Sequence, residues 1–216
     1  MIEIARRGVC LVLSAPSGAG KTAIADALLA TEPELERSIS VTTRARRPAE
    51  IDGIHYHFLT EERFQDALRD NALLEWARVL QGTHAYGTPR APVEKALARG
   101  RDVVFDIDWQ GHRQLRQKLP ADVVSVFVLP PNLGALRARL VGRAGDRGEE
   151  INRRMRVARD EIRHWVEFDH VVVNEDLARA TEIVRAVLHG ARSATSRLTG
   201  LGAFVEGLSA QSPIGK

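Results

Sequence analysis

The sequence predicts an α/β fold with a parallel sheet and helices on both faces. Three observations carry this. Near-continuous β-branched runs alternate with helix-like runs along most of the chain. One strand-to-helix junction is built like a phosphate-binding loop. Two segments break the alternation and read as insertions into that core. At 216 residues, 44% hydrophobic and 27% charged, the chain is long enough for one domain with lobes and too apolar for wholesale disorder.

The buried strands are Val9–Ser14, Val103–Asp106, Val123–Leu129 and Val171–Val173, each apolar on both faces as parallel sheets require. Helices follow from near Lys21, His112, Leu133 and Asp176. Between Arg37 and Arg90 the rhythm is lost. Short alternating pieces (Ser38–Val41, His55–Phe58) surround one short helix after Thr60, which is placed to cap it, with Glu61 and Glu62 in the first turn. The expected organisation is a core of residues 1–36 and 91–216 with an inserted lobe at 37–90. Residues 143–150 form a second interruption, too polar and glycine-rich to pack. After it Ile151, Met155, Ala158, Ile162 and Trp165 recur at helical spacing and read as a core stripe. Trp76 and Trp109 also read as packing residues. Leu201, Phe204 and Leu208 would either dock a last helix or belong to a fraying end.

Composition excludes several functions. Aromatic residues are only 5%, against a nucleic-acid binder built on stacking. A single cysteine, Cys10, sits inside the first strand, so neither an intrachain disulfide nor an all-cysteine metal site is available. No apolar run approaches the roughly 18 residues of a membrane span. The first eight residues lack the apolar run of a signal peptide, and a cytoplasmic setting is expected. Net charge is +3, with 27 Arg against 4 Lys. The arginines cluster at 37–50 and 137–163, and arginine's planar fork grips phosphate at two points. Two local clusters on a nearly neutral chain fit a small polyphosphate ligand better than a nucleic acid or a membrane. Nothing in the pattern selects between a monomer and a homo-oligomer.

The strongest motif is Ala15-Pro16-Ser17-Gly18-Ala19-Gly20-Lys21-Thr22, between a buried strand and a helix. Gly18 and Gly20 let successive N–H groups turn inward as an anion nest, and the helix N-terminus adds its dipole. Lys21 reaches the β- and γ-phosphates of a nucleotide, and the Thr22 hydroxyl is placed for Mg²⁺. Asp106 ends a neighbouring strand, where a carboxylate orients Mg²⁺-bound water; Asp108 shares its face. A second constellation lies in the inserted lobe. Arg44 and Arg47 are three apart, Glu50 is placed to hold a guanidinium, and Tyr56 adds a hydroxyl, a set suited to caging a phosphate monoester. His55 and His57 lack a third ligand and read as surface residues.

Here the chain resembles the guanylate kinase family. The matching pieces are APSGAGKT, S-V-T-T-R-x-x-R-x-x-E, G-x-x-Y-x-F, LLEWA, YGT, DIDWQG, the pair Arg143 and Arg154, and VVNED, in the family's order from residue 9 to about 176. The resemblance implies a P-loop core of three layers, a GMP-binding lobe and a lid at about 143–154. It implies the reaction ATP + GMP ⇌ ADP + GDP with Mg²⁺, and dGMP as a second acceptor. By motif, Ser40, Glu75, Thr88 and Asp108 would read the guanine. Arg44, Arg47, Tyr56 and Tyr86 would hold the GMP phosphate. Arg143 and Arg154 would close over the transferring phosphoryl group, and Asn174 would lie near the ATP adenine. Guanine offers N1–H and N2–H₂ donors, which carboxylates accept, whereas adenine would leave those carboxylates unpaired.

Two departures from the family pattern stand out. Ala15 replaces the first glycine of the phosphate loop. The stretch from Glu75 to Tyr86 is about two residues longer than usual, which bears on Tyr86 and Thr88. Two other readings compete. Ribose-bisphosphate kinases share the scaffold but lack the guanine-reading Glu and the Asp-Ile-Asp. Non-catalytic guanylate-kinase-like binding modules characteristically lose the lysine that is Lys21 here.

Overall fold

The structure, a computed structural model, describes residues 4–79, 83–142 and 148–210. The elements in chain order are β1 (Cys10–Ser14), α1 (Lys21–Thr31), β2 (Leu35–Arg37), β3 (Val41–Thr42), β4 (His57–Phe58), α2 (Glu61–Arg69), β5 (Leu73–Val79), β6 (His84–Pro89), α3 (Arg90–Ala98), β7 (Asp102–Asp106), α4 (Trp109–Lys118), β8 (Val123–Leu129), α5 (Leu133–Val141), α6 (Gly148–Ile162), β9 (His170–Val173), α7 (Leu177–Arg192) and α8 (Leu201–Ser209).

The main sheet runs β2-β7-β1-β8-β9, all parallel. Alternation along β1 explains its composition. Val9, Leu11 and Leu13 pack with Ile24 and Leu28 of α1 and Val184 and Leu188 of α7. Cys10 and Val12 turn the other way, toward Val93 and Leu97 of α3 and Leu115 of α4. With both faces covered, every position up to the final Ser14 is apolar, and each fully buried aliphatic side chain contributes roughly 1.5–3 kcal/mol. Burial also pushes the Cys10 thiol pKa well up, which leaves it an inert core residue.

β9 departs from the expected fully buried strand. It is the sheet edge, and only Val172 points into the core while Val171 and Val173 are partly exposed. The second sheet runs β4-β3-β6-β5, with β3 and β4 parallel and the other pairs antiparallel. Its own small core is Val41, Phe64, Leu73 and Ala85. Thr60 caps α2 as expected, accepting from the Arg63 N–H at 3.2 Å.

Three further expectations are corrected. α4 starts at Trp109 rather than His112, because Asp108 caps it by accepting from the Gly111 N–H at 2.8 Å. In α6, Ile151 and Ala158 are buried and Met155 packs with Leu136 and Leu140 of α5, but Trp165 lies beyond the helix in a 3₁₀ turn and is 48% exposed. Trp76 is 37% exposed rather than packed away. α8 forms, yet none of its residues is buried.

At the N-terminal end of the strands lies a dense ionic cluster. Asp102, fully buried, accepts from Arg6 at 2.7 Å, from Arg192 at 2.7 Å and from the Val9 N–H at 2.8 Å. Asp122 accepts two bonds of 2.7 Å from Arg7. Buried Arg197 donates to the Gly8 and Asp122 carbonyls at 3.0 Å each.

Candidate active site

The opposite, C-terminal end of the sheet carries the phosphate loop, which joins β1 to α1. Gly18 and Gly20 have φ of 90° and 101°, a left-handed conformation that L side chains rarely adopt. A Cβ on Gly20 would also stand 2.2 Å from the Asn174 amide nitrogen. That contact sets Asn174 against the loop. Its side chain is buried under the loop and donates to the Ala19 carbonyl at 2.8 Å. Arg139 of α5 braces the same point, donating to the Ala19 carbonyl at 3.3 Å and the Asn174 carbonyl at 3.0 Å. Ala15 needs no glycine. Among described non-glycine residues only Asn71 has a positive φ, and Ala15 packs against the α1–α7 core.

Parallel pairing of Leu13 with Asp106 brings the end of β7 beside the loop. Lys21 Nζ lies 2.7 Å from Asp106 Oδ1 and donates to the Ile107 carbonyl at 3.1 Å. The Thr22 hydroxyl donates to Asp106 Oδ2 at 2.7 Å. Burial alone would raise the Asp106 pKa; Lys21 and Thr22 outweigh it, and the net shift is downward. A hydroxyl and an ionised carboxylate beside a phosphate loop are a hard-oxygen donor set suited to Mg²⁺. Among the described residues no group of three or more His, Cys, Asp or Glu is arranged to hold a metal.

The loop, Lys21, Thr22, Asp106 and Asp108 line one cavity of about 270 Å³. From Asp108 the site continues to Glu75. Glu75 on β5 faces Thr88 on β6, whose hydroxyl donates to it at 2.6 Å. The other Glu75 oxygen lies so close to Gly111 that a Cβ there would come within 3.1 Å. Glu75 is only 6% exposed. Burial, opposed by the Thr88 bond and reinforced by Asp108, pushes its pKa up to about 7. Ser40 is half-buried, its carbonyl accepting from the His57 N–H at 2.9 Å.

In the lobe, Arg44 donates to Glu50 at 2.7 Å and to the Tyr86 hydroxyl at 3.3 Å. Its guanidinium lies 5.5 Å from the centre of the Tyr56 ring, and the Tyr56 and Tyr86 rings meet edge-on at 5.9 Å. Glu50 also accepts from the Arg47 N–H at 2.8 Å, and Arg44 above all holds its pKa down at about 2. The Arg47 side chain is exposed. Ala77 pairs with Tyr86 and Glu75 with Thr88 across β5 and β6. Residues 80–82 and Arg143 lie outside the described residues. Arg154 on α6 donates to Glu150 at 3.0 Å, one turn back on its own helix.

Two residues near the loop escaped the sequence reading. Arg139 gave no local signal. Glu161, also lining the phosphate-loop cavity, had one: it follows Arg154 by seven residues, two helical turns, and so shares its face.

Fold and site together define an α/β protein of the P-loop class, with a phosphate loop on a parallel sheet and a second, four-stranded sheet. The family model described as Guanylate kinase matches residues 7–191. The chain is 59% identical over 197 residues to a guanylate kinase of Gluconobacter oxydans, covering 91% of this chain and 94% of that one. It is 55% identical over 210 residues to one of Chelativorans, covering 97% and 95%. The crystal structure of guanylate kinase from Anaplasma phagocytophilum matches with a TM-score of 0.77 at 31% identity, over 98% of this chain and all of that one. The chain belongs to the guanylate kinase family.

Proposed function

We propose that the protein catalyses ATP + GMP ⇌ ADP + GDP, with the site residues in the roles that the family motifs assign them. One observation carries the reading: a buried carboxylate, Glu75, is linked through Gly111 and Asp108 to the wall of the phosphate-loop cavity. Acceptors for guanine N1–H and N2–H₂ therefore sit beside the groups that would bind a triphosphate. An adenine base would leave a buried carboxylate unpaired, which favours GMP over AMP. Ser40 and Thr88 complete the base pocket. dGMP, which presents the same base edge, is accepted as well.

Arg44, Arg47, Tyr56 and Tyr86 hold the GMP phosphate, and Glu50 fixes Arg44 for that task. The attacking atom is already an anionic phosphate oxygen, so no strong base is required, and catalysis is positioning plus charge neutralisation. Lys21 and the loop N–H groups hold the phosphates of ATP, and Asn174 serves them by fixing Ala19. Mg²⁺ would be held by the Thr22 hydroxyl and, through water, by Asp106, and would neutralise phosphate charge. Arg143 and Arg154 act at the transferring group, where an arginine is worth roughly 10³–10⁵ in rate. Arg154 must first leave Glu150.

The supporting division is a core of 1–36 and 91–216, a GMP lobe of 37–90 and a lid near 143–154. Its partners are small molecules rather than nucleic acid or membrane, and its setting is the cytoplasm, where both substrates are made. No helix among the described residues is long and apolar enough to cross a membrane. The test offers ATP and Mg²⁺ with GMP, dGMP, AMP, UMP or ribose 1,5-bisphosphate and follows ADP release. GMP and dGMP should be turned over far faster than the rest. Turnover of the ribose bisphosphate alone would make it a different kinase; turnover of none would make it a binding module.

A further inference from the structure

The phosphate-loop cavity contains a carboxylate for which phosphoryl transfer has no use. Glu161 stands one residue before the end of α6 and lines the cavity together with Lys21, Asp106 and Asp108. Its Oε2 accepts from the Ser17 N–H at 3.4 Å. That N–H belongs to the nest in which a phosphate would sit. An anion carried by α6 thus holds a place in an anion site. The end of α6 is anchored just beyond. His164, in the following turn, stacks on Trp109 of α4 at 3.7 Å and contacts Glu167 at 2.7 Å. Trp109 directly follows Asp108, so the foot of α6 touches both halves of the site.

We propose that Glu161 is a positioning residue that occupies the phosphate loop as an internal anion in the nucleotide-free protein, and that the phosphates of ATP expel it and thereby turn α6 about the Trp109–His164 stack. The proposal rests on the phosphate-loop reading above. Its physical basis is like-charge exclusion. Asp106, Asp108 and Glu161 already crowd Lys21, and a triphosphate adds several more negative charges at the N–H that Glu161 uses. Expulsion costs ATP affinity and moves the helix that carries Arg154 on the same face, two turns away. The groups facing Glu161 are the Ser17 N–H and Lys21 from the loop, Asp106 and Asp108 from the end of β7 and the start of α4, and His164 from its own turn. Burial raises the Glu161 pKa, aided by Asp108 and opposed by Ser17, Lys21 and His164, and the net shift is upward. Protonation therefore weakens its hold on the loop.

Calorimetric titration with Mg²⁺-ATP should compare the wild type with Glu161→Gln between pH 8 and 5.5. The near-isosteric variant should bind ATP about fivefold tighter at pH 8, and the ratio should shrink as pH falls. Titration of ATP itself is common to both proteins and cancels in that ratio. In steady state the KM for ATP should fall while the KM for GMP holds. Glu161→Ala should move ATP affinity in the same direction. Equal or weaker binding by Glu161→Gln at pH 8, or a ratio indifferent to pH, would overturn the proposal alone. Absence of ATP binding by the folded wild type would overturn the phosphate-loop reading with it.

Discussion

The two ends of the main sheet are built from the same residue types and used in opposite ways. At the N-terminal end each carboxylate meets its cations. Asp102 has Arg6 and Arg192, Asp122 has Arg7, and Glu32 has Arg192 and His189. At the C-terminal end carboxylates gather with one another. Asp106, Asp108 and Glu161 share a cavity with Lys21, and Glu75 is held near pH 7 in its titration by burial and by Asp108. The first arrangement pairs its buried carboxylates with cations of the chain itself. The second sets three carboxylates around a cavity that they share with Lys21 and the phosphate loop.

Mutations should therefore separate by end. The largest effect is expected for Asp102→Ala, which leaves Arg6, Arg192 and the Val9 N–H without their buried partner. Stability should fall by about 3–5 kcal/mol in urea unfolding, while kcat of the folded fraction stays within twofold or so. Lys21→Ala is the mirror case. Its kcat should fall by about 10²-fold or more, roughly 3 kcal/mol of barrier, with little change in the urea midpoint. Were Lys21→Ala chiefly to unfold the protein, or Asp102→Ala chiefly to slow it, the division of labour between the ends would be lost.

Glu75→Gln sharpens the comparison within the ligand end. GMP/AMP discrimination should drop by about 30-fold, near 2 kcal/mol, with the KM for ATP unchanged. The wild type adds a pH signature. Its folded pKa of about 7 lies above the ordinary 4.5, so the folded protein holds an extra proton between these values. Stability from this group accordingly falls as pH rises through that window, and Glu75→Gln should abolish that slope. Guanine donors favour the ionised form, so GMP should bind more tightly as pH climbs toward 8 and should release a proton near pH 7. Calorimetry in buffers of different ionisation enthalpy measures that release; zero release would place base reading elsewhere.

What could be read from the sequence follows from how tightly each residue is constrained. β1, β7 and β8 were legible because burial on both faces fills their interiors with consecutive apolar residues, and the phosphate loop because its backbone demands Gly18 and Gly20 next to Lys21. β5 and β6 were not. Glu75 and Arg78 interrupt one and Gly87 and Pro89 the other, because these strands serve a polar site and not a core. β2 was missed because three residues with a single buried one, Leu35, carry too little pattern. In the site, Arg44, Glu50 and Asp108 announced themselves by charge type and spacing, and Glu75 only through the family motif LLEWA. Arg139 did not, since its use lies wholly in tertiary contacts with Ala19 and Asn174. The same holds for the cap that Asp108 gives α4, which needs the Gly111 N–H brought to it by the fold.

His112 is the exception that tests the division most finely. It sits on α4, one turn past Asp108, yet it belongs to neither end. It is 1% exposed, stacks on Phe168 at 4.1 Å, and neither ring nitrogen has a hydrogen-bond partner among the described residues. Burial, with Arg116 acting the same way, pulls its pKa down to about 4 from 6.5. A group depressed in this way is neutral when folded. Stability is retained above pH 6.5 and lost as pH falls toward 4, because the unfolded chain takes up the proton first. His112→Phe keeps an aromatic ring against Phe168 and removes both orphaned nitrogens. It should raise stability by about 1–2 kcal/mol at pH 7.5, and the gain should widen at pH 5. Urea midpoints at the two pH values decide the matter. A variant less stable than the wild type, or a gain that narrows in acid, would mean that the ring nitrogens are satisfied in solution and that His112 has a polar task of its own.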